Sequence, residues 1–291
     1  MSSITVKTPA KVNLFLKVLS KRADGYHNIH TLFERISLFD TIRISKIPKG
    51  IIIKSDRPIT RDPEENLCFK AAKAILRRGK VKSGVKIYIK KRIPIASGLG
   101  GGSSDASAAL KGINKLFNLR LSDEVLFNMA KELGADVPFF ILDTTFAIGK
   151  GRGDELKAIK SKARFWHLIV KAGSKTATKD IYEAFDRAPK HLTLLRESDR
   201  IQIPSKLRMD YIQAESVLHN DLETAVLSKK GVISRISKSL AQLLGKKMII
   251  SGSGPSLFCL YRTRREAIKA RDVIFRSVSA RSRMGWQIFV A

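Results

Sequence analysis

One glycine-rich stretch limits how this chain can fold. Four glycines lie within the five positions from Gly98 to Gly102, between an alternating strand pattern that ends near Lys91 and an apolar helical repeat that begins at Ala106. Because glycine has no Cβ, it adopts positive φ angles and lets the backbone close around a bulky anion. The N–H groups of such a turn, together with the positive end of the following helix dipole, can hold a phosphate. The pattern therefore predicts a strand, a phosphate-binding turn and a helix that starts near Ser103.

A flexible linker is the alternative interpretation of so many glycines. Linkers are rarely followed by a well-patterned helix, and here apolar residues recur at helical spacing: Ala106, Ala109, Leu110, Ile113, Leu116 and Phe117. Ser103 or Ser104 is expected to cap the start of that helix. The stretch is neither a Walker A loop nor the dinucleotide fingerprint Gly-x-Gly-x-x-Gly, since Gly102 runs directly into Ser103.

Composition restricts the class of protein. The chain has 291 residues, of which 44% are apolar and 28% charged, as expected for one large folded domain or two modest ones. The two cysteines, Cys68 and Cys259, form no C-x-x-C motif. We therefore expect neither a disulfide framework nor a zinc site, and a reducing cytoplasmic location. No apolar run approaches the roughly 20 residues of a membrane span, so no membrane partner is predicted, and no oligomeric state is assigned.

The charge balance is strongly basic. Lys and Arg total 55 against 26 acidic residues, a formal net charge of +29. Such an excess suits polyanionic ligands and also binds RNA without sequence preference. Because no RNA-reading aromatic box accompanies it, we interpret the excess mainly as a solvated surface and expect no specific nucleic-acid partner. The basic residues are densest near the C-terminus: Arg262, Arg264, Arg265, Lys269, Arg271, Arg276, Arg281 and Arg283.

Two polar residues interrupt an apolar pattern near the N-terminus. One face of the predicted strand is an apolar stripe: Val12, Leu14, Leu16 and Val18. Successive side chains of a strand point to opposite faces, so Lys11 and Asn13 share the other face. Two polar groups that project the same way from a rigid strand suit a ligand, and an ordinary solvent-facing strand edge is the alternative.

Two other positions carry side chains suited to chemistry. The turn Asp24-Gly25 leads into Tyr26 and His27, which offer an aromatic face and two ring nitrogens; two packed rings at a loop end are the alternative. Asp136 precedes Pro138 at the end of a predicted helix. An aspartate in that setting is either a structural cap or a general base.

Two further stretches are predicted to be irregular. Residues 251–255 form a tight glycine turn between two apolar strands, which either contacts a ligand through its backbone or closes a simple hairpin. Residues 189–204 are predicted to form mostly loops rather than helices or strands.

Seven stretches in order along the chain resemble a known family: residues 9–14, 22–27, 65–67, 98–104, 134–138, 220–223 and 251–255. They are similar to the 4-diphosphocytidyl-2-C-methyl-D-erythritol kinase family, within the GHMP superfamily of galactokinase, homoserine kinase, mevalonate kinase and phosphomevalonate kinase. Ala23-Asp24-Gly25-Tyr26-His27 discriminates most, because the wider superfamily lacks it. The resemblance implies an α+β fold of two domains, with residues 1–158 similar to the second domain of ribosomal protein S5 and residues 159–291 similar to a ferredoxin-like α/β sandwich.

The resemblance also implies the reaction and its residues. ATP would be the phosphoryl donor with Mg²⁺ bridging its phosphates, and the acceptor would be the 2-hydroxyl of 4-diphosphocytidyl-2-C-methyl-D-erythritol, in the non-mevalonate route to isoprenoids. Asp136 would be the general base and Lys11 would offset developing charge, while Ser104 is the candidate metal ligand. ATP would contact Asn66, Lys91 and the loop residues Pro94, Ile95, Ala96, Ser97, Gly98, Leu99, Gly100, Gly101, Gly102, Ser103 and Ser104. The cytidyl substrate would contact Asn13, Tyr26, His27, Thr178 and Tyr182.

Two other functions compete with this one. A different small-molecule kinase of the same superfamily, acting on homoserine or mevalonate, would keep the glycine loop but is disfavoured by Tyr26 and His27. An RNA-binding protein that reuses an S5-like fold would account for the net charge of +29, but it would not require the glycine loop and Asp136 together.

Overall fold

The secondary structure alternates between strands and helices along the whole chain. The computed structural model describes residues 2–161, 163–174, 176–188, 210–229 and 231–291; the loop predicted for residues 189–204 lies outside these ranges. The elements are β1 (Ser3–Lys21), β2 (His27–Ile47), β3 (Ile51–Ser55), a 3₁₀ turn (Pro63–Glu65), α1 (Leu67–Arg78), β4 (Gly84–Lys90), α2 (Gly101–Leu116), α3 (Asp123–Leu133), α4 (Val137–Ile141), β5 (Phe146–Lys150), β6 (Glu155–Ile159), β7 (Trp166–Lys171), α5 (Thr178–Arg187), α6 (Tyr211–Ser216), β8 (His219–Asn220), α7 (Glu223–Lys229), α8 (Gly231–Leu244), β9 (Ile249–Ile250), β10 (Ser256–Tyr261), α9 (Arg264–Ser277) and β11 (Gln287–Val290).

The larger sheet is built around the long antiparallel pair β1 and β2. Its strand order is β3-β4-β2-β1-β8, and β5 and β6 extend it from another part of β2. The β1–β2 ladder runs from Ser3 opposite Ser45 to Lys21 opposite His27, with register shifts after Pro9 and Asn13. Proline cannot donate to the ladder, and irregularities of this kind bend a strand. The bend carries the middle of β1 towards the glycine loop, where the Lys11 N–H donates to the Leu99 carbonyl at 2.9 Å.

The middle of β1 is buried on both faces. Val12 and Leu14 pack in one apolar cluster with Ile249 and Phe258 of the second sheet, and α2 covers β1 and β2 from another side. Lys11 is also buried, so the interpretation of this strand as a solvent-facing edge is wrong. Side chains from distant segments supply that cover, which strand alternation alone does not reveal.

The second sheet has the order β11-β7-β10-β9 and is antiparallel throughout. The apolar run from Trp166 to Val170 predicts a buried strand, and the structure confirms it as β7, one of the two inner strands. The helices α5, α7, α8 and α9 contribute the side chains that cover it, among them Ile181, Val226, Ile233, Leu240 and Ile274. No helix in the described ranges is both long and apolar enough to cross a bilayer.

Several contacts join residues before the predicted domain boundary to residues after it. That boundary, between residues 158 and 159, falls between the last two residues of β6 and stays a prediction. Beyond it, β8 returns to the first sheet and pairs in parallel with Phe15 and Leu16 of β1. The buried His167 Nε2 of β7 lies 2.9 Å from Glu34 Oε2 of β2. Side chains from both halves therefore share one apolar cluster, in which Val12 and Leu14 lie with Ile249 and Phe258.

Several predicted helix ends need correction. The sequence predicts Ser122 as the N-cap of a helix that ends at Gly134, and α3 confirms both. Asn66 caps α1. The helix after the glycine loop begins at Gly101 rather than near Ser103, and its N-cap is Gly100 at a φ of 70°. Neither Ser103 nor Ser104 is the cap, because a left-handed glycine already turns the chain into the helix.

The segments around Thr178 and Pro138 also differ from expectation. The hydroxyls of Thr176 and Thr178 predict a capped helix start, but the N-cap of α5 is Ala177, which makes no side-chain cap bond. A residue before proline is biased towards extended geometry, which predicts an extended Val137. Both residues instead lie in the first turn of α4, where the missing N–H of proline has no helical partner to lose.

Candidate active site

A cleft of about 1030 Å³ opens in front of the glycine loop. It is lined from both sides of the predicted boundary, by β1, the loop, α5 and the turn at Gly252 and Ser253. Leu99 and Ser104 do not line it; both are buried, Leu99 in the apolar core. The other residues predicted for the site all line the cleft: Lys11, Asn13, Tyr26, His27, Asn66, Lys91, Pro94, Ile95, Ala96, Ser97, Gly98, Gly100, Gly101, Gly102, Ser103, Asp136, Thr178 and Tyr182.

The glycine loop has the conformation that its composition predicts. Gly98 and Gly100 have φ angles of 80° and 70°, which glycine adopts without steric cost. A Cβ at Gly98 would lie 2.4 Å from the Ser251 carbonyl oxygen, and one at Gly100 would lie 2.9 Å from Lys11 Cγ. Ser251 Oγ donates to the Gly98 carbonyl at 3.1 Å. The turn at residues 251–255 is thus more than a hairpin connection, because it fixes the loop from behind.

The residues at the start of α2, Gly100 to Ser103, line the cleft. Gly100 has no side chain that could cap the first N–H groups of the helix, and the Ser104 N–H is the first that bonds back, to the Gly100 carbonyl at 2.9 Å. Free N–H groups at a helix start carry partial positive charge and bind anions. The loop and α2 together can hold the phosphates of a nucleotide.

Lys11 and Asp136 meet in the cleft although they lie far apart in the sequence. Lys11 Nζ is 3.4 Å from Asp136 Oδ2 and donates to Asn13 Oδ1 at 2.7 Å. Asn13 in turn donates to Thr31 Oγ1 at 2.8 Å, which fixes its orientation. The Lys11 side chain is 5% exposed and the Asp136 side chain 38% exposed. Asp136 is the N-cap of α4 yet makes no side-chain cap bond, so its carboxylate is available for chemistry.

A buried charge network beneath the loop was not predicted. Lys91 Nζ donates to Asp40 and, at 2.9 Å, to Asp105 Oδ2; Asp105 also accepts from Thr8 Oγ1 at 2.7 Å. Burial raises the pKa of Asp105 to about 6. Burial opposes the charged form of Lys91, but Asp105 and Asp40 raise its pKa above the usual value. Lys91 therefore supports the floor of the cleft with an ammonium that two carboxylates already bind.

The aromatic end of the cleft is built on one face of α5. Thr178, Tyr182 and Asp186 follow each other at spacings of four residues, which places them on the same face of the helix. The His27 and Tyr182 rings stack with centroids 4.9 Å apart, and His27 Nε2 lies 2.8 Å from Asp186 Oδ1. Asp186 is a residue that the sequence interpretation missed, and the four-residue spacing was the available signal.

Three other contacts complete this end of the cleft. Asp186 also accepts from Lys21 Nζ at 2.8 Å. Partial burial works against its charged form, but the bonds from Lys21 and His27 lower its pKa below the usual range. Burial raises the pKa of the Tyr182 hydroxyl, with Asp136 adding to the shift. Tyr26 is 54% exposed and lies under the Arg152 guanidinium at 5.2 Å, so its ring is available at the mouth of the cleft.

Thr178, predicted to contact the substrate, lies near the turn at residues 251–255. Thr178 Oγ1 is 3.0 Å from Ser253 Oγ, so α5 and the turn at residues 251–255 meet at the cleft wall. Asn66 accepts from the Cys68 N–H at 2.9 Å as the N-cap of α1, which leaves its amide N–H groups as donors towards the cleft that it lines.

Comparisons with known proteins identify the family of this chain. The model of the family "GHMP kinases N terminal domain" matches residues 66–144. The 4-diphosphocytidyl-2-C-methyl-D-erythritol kinase of Syntrophus aciditrophicus (strain SB) is 37% identical over 271 residues, which cover 93% of this chain and 94% of the relative. The kinase of the same name from Geobacter metallireducens (strain ATCC 53774 / DSM 7210 / GS-15) is 38% identical over 278 residues, 95% of this chain and 96% of the relative.

Solved structures agree on the fold. A crystal structure of 4-(cytidine 5'-diphospho)-2C-methyl-D-erythritol kinase superposes with a TM-score of 0.75 at 28% identity, covering 99% of this chain and 98% of that one. Homoserine kinase from Cytophaga hutchinsonii ATCC 33406 reaches 0.74 at 20% identity, covering 100% of this chain and 95% of that one, which shows the fold alone. The predicted α+β fold of the GHMP kinases is confirmed. Given relatives of 37% and 38% identity along nearly the whole chain, this chain belongs to the 4-diphosphocytidyl-2-C-methyl-D-erythritol kinase family.

Proposed function

We propose that this chain transfers the γ-phosphoryl group of ATP to the 2-hydroxyl of 4-diphosphocytidyl-2-C-methyl-D-erythritol, in the non-mevalonate route to isoprenoid precursors. The observation that carries the proposal is the approach of Lys11 Nζ to within 3.4 Å of Asp136 Oδ2, in a cleft whose wall is the glycine loop. Phosphoryl transfer needs positioning and charge stabilisation more than covalent chemistry, and both are available here.

The proposed mechanism assigns one task to each charged group. Asp136 accepts the proton of the attacking hydroxyl, a contribution of roughly 10²- to 10⁴-fold. Lys11 stabilises the developing alkoxide and the phosphoryl oxygens at the same point. The loop from Pro94 to Ser103 and the start of α2 bind the phosphates of ATP, and Asn66 lies beside them at the cleft wall. Asn13 orients Lys11 through the 2.7 Å bond and faces the acceptor.

Mg²⁺ belongs to this proposal as the companion of the nucleotide. It prefers phosphate oxygens and takes few protein ligands, and it would neutralise charge on the phosphates. Ser104, the metal ligand that the resemblance implies, is buried and does not line the cleft, so Mg²⁺ would be held through the phosphates and this ligand position is not supported.

The cytidyl group is proposed to lie against the rings at the far end of the cleft. Tyr26 and Tyr182 supply aromatic faces, and Thr178 lines the wall between them and the phosphates. A carboxylate only accepts hydrogen bonds, so the Asp186 contact puts the proton of a neutral His27 on Nε2 and leaves Nδ1 as an acceptor. An acceptor suits the amino group of cytosine, which uracil lacks.

The compartment is proposed to be the cytoplasm, since Cys68 and Cys259 are both free and buried and reducing compartments keep thiols in this state. The competing kinase function, on homoserine or mevalonate, is supported by fold likeness only. The RNA-binding alternative is disfavoured because it gives no role to the approach of Asp136 and Lys11.

Replacing Asp136 tests the proposed chemistry directly. In Asp136→Asn the carboxylate that would take the hydroxyl proton is gone, so kcat should fall by roughly 10²- to 10⁴-fold. Transfer of labelled phosphate from ATP to the cytidyl compound measures it. The KM values and the melting temperature should change little, because Asp136 is half-exposed and caps nothing.

Asp123→Asn is the matched control, since Asp123 is an exposed aspartate in the first turn of α3 away from the cleft. Wild-type turnover by Asp136→Asn would refute the assignment of the base, and failure of the wild-type protein to phosphorylate the cytidyl compound would refute the function.

A further inference from the structure

Asp136 depends on a helix that is too short to hold its own position. α4 has only five residues, Val137–Ile141, and isolated helices of this length are unstable. The Asp136 carboxylate makes no cap bond and is 38% exposed, with Lys11 Nζ at 3.4 Å. The place of this carboxylate is therefore set by whatever fixes α4 to the rest of the molecule.

Arg35 of β2 binds the other end of that helix. Its Nη2 donates to the Phe139 carbonyl at 2.9 Å and to the Leu142 carbonyl. The guanidinium carbon also lies 5.4 Å from the centre of the Phe139 ring and 5.9 Å from that of Phe140. The last carbonyls of a helix have no helical partner and carry partial negative charge. A planar cation that reaches two of them and stacks on the rings fixes both the position and the rotation of α4.

The same contacts lead back to the catalytic pair. Arg35 lies opposite Lys11 in the β1–β2 ladder, so this cross-strand pair holds α4 at both ends. Between them, the Phe139 ring stacks on Phe33 at 5.0 Å, and Lys11 Nζ lies 5.2 Å from the centre of the Phe33 ring. The helix that carries Asp136 and the cation that faces Asp136 thus rest on one aromatic pair.

A second cation strengthens the same end of the helix. Lys111 of α2 donates to the Ile141 carbonyl at 2.7 Å. Because Lys111 and Arg35 bind different carbonyls, the loss of Arg35 leaves α4 attached but free to shift. Arg35 does not line the cleft, so its loss removes no contact to ATP or to the acceptor.

We propose that Arg35 is a positioning residue for phosphoryl transfer, which holds the Asp136 carboxylate against the Lys11 ammonium by fixing the carbonyl end of α4. This inference rests on the proposed role of Asp136 as general base. It predicts an effect on kcat with little effect on substrate binding, since only the reacting geometry is disturbed. A displacement of about 1 Å at a reacting group can cost ~10²-fold in rate.

Three variants test the positioning role. Arg35→Met keeps the apolar stem and removes the N–H donors, so we expect kcat to fall about 10- to 100-fold, with both KM values within about threefold of wild type. Arg35→Lys keeps the charge but has no planar fork, and it should recover part of the loss. Arg43→Met, at an exposed arginine of the same strand, should leave kcat unchanged.

A double-mutant cycle separates positioning from general damage. In the Asp136→Asn background the carboxylate to be positioned is absent, so Arg35→Met should lower the residual kcat by less than about twofold. Equal fractional losses in both backgrounds, or wild-type kcat in Arg35→Met, would overturn the inference. Wild-type kcat in Asp136→Asn alone would instead overturn the proposed base. Melting temperatures show whether each variant folds. If Arg35→Met does not fold, the same double-mutant cycle is measured with Arg35→Lys.

Discussion

Asp186 determines which ring nitrogen of His27 is free to accept a hydrogen bond. In Asp186→Ala the imidazole loses the partner at 2.8 Å and can take either tautomer. We expect KM for the cytidyl substrate to rise about 10-fold or more, because a hydrogen bond to a charged group contributes roughly 1.5–3 kcal/mol. KM for ATP should stay close to wild type. Steady-state kinetics with each substrate varied in turn measure both constants.

The control for this prediction lies on the same helix. Asp180 is exposed on α5 and does not lie on the face of the helix that carries Tyr182 and Asp186. Asp180→Ala should therefore leave both KM values unchanged. Asp186→Ala should also discriminate less between cytidyl and uridyl analogues than the wild type does. Unchanged discrimination together with an unchanged KM would show that Asp186 does not set the state of His27.

Single residues mark the limit of what the sequence predicts. The residue types at Lys11 and Asp136 suit the chemistry, but only the family resemblance indicated that the two segments meet. Lys91 was predicted to contact ATP, and that contact stays a prediction. Its ion pairs with Asp40 and Asp105 join the end of β4 to β2 and to α2. No local spacing encodes such a pairing, since the pairing of β2 with β4 and the packing of α2 on the first sheet create it.

At the scale of elements, the glycine loop can be tested by adding one methyl group. A Cβ at Gly98 would lie 2.4 Å from the Ser251 carbonyl oxygen and 2.9 Å from that of Gly254. The φ of 80° at Gly98 is unfavourable for alanine. Backbone atoms cannot yield as a flexible side chain can. We expect Gly98→Ala to lower the free energy of unfolding by about 1–3 kcal/mol and to raise KM for ATP. Urea titration and steady-state kinetics measure the two effects.

Gly231→Ala is the matched substitution, because a Cβ at Gly231 meets nothing within 4 Å. Alanine there should be neutral or stabilise the helix by up to about 1 kcal/mol. If Gly98→Ala unfolds at the same urea concentration as the wild type and binds ATP equally well, the loop does not rest on the turn behind it.

Elements with a clean apolar period were predicted well, and those with buried polar residues were not. α3, β4 and β7 lie where their spacing predicts. β1 and β2 are 19 and 21 residues long, whereas the alternation indicated only short pieces of them. Polar residues such as Lys11, Asn13 and Glu34 interrupt the pattern, and each is buried with a partner from another segment. Local periodicity cannot distinguish such a residue from one that faces water.

At the scale of the whole molecule, backbone and side-chain contacts join the two predicted domains. β8 follows the predicted boundary in sequence yet pairs with β1. Asn220 of β8 donates to the Ile250 and Gly252 carbonyls at 2.7 and 2.8 Å, so one residue joins the first sheet to the turn behind the glycine loop. The Glu34–His167 contact crosses the same junction. Residues of both halves line the cleft, which ties its geometry to the integrity of both.

This shared interior predicts that the chain unfolds as one cooperative unit. Differential scanning calorimetry should give a single transition whose calorimetric and van't Hoff enthalpies agree. Residues 1–158 expressed alone should not fold, because Val12 and Leu14 would lose the side chains of Ile249 and Phe258 that cover them. Asn220→Ala should lower that single melting temperature without splitting it, since it leaves two backbone carbonyls unpaired, at a cost of about 1–3 kcal/mol. Two separate transitions in the wild type, with the first insensitive to Asn220→Ala, would mean that the halves are stable independently and that the contacts between them do not set the shape of the cleft.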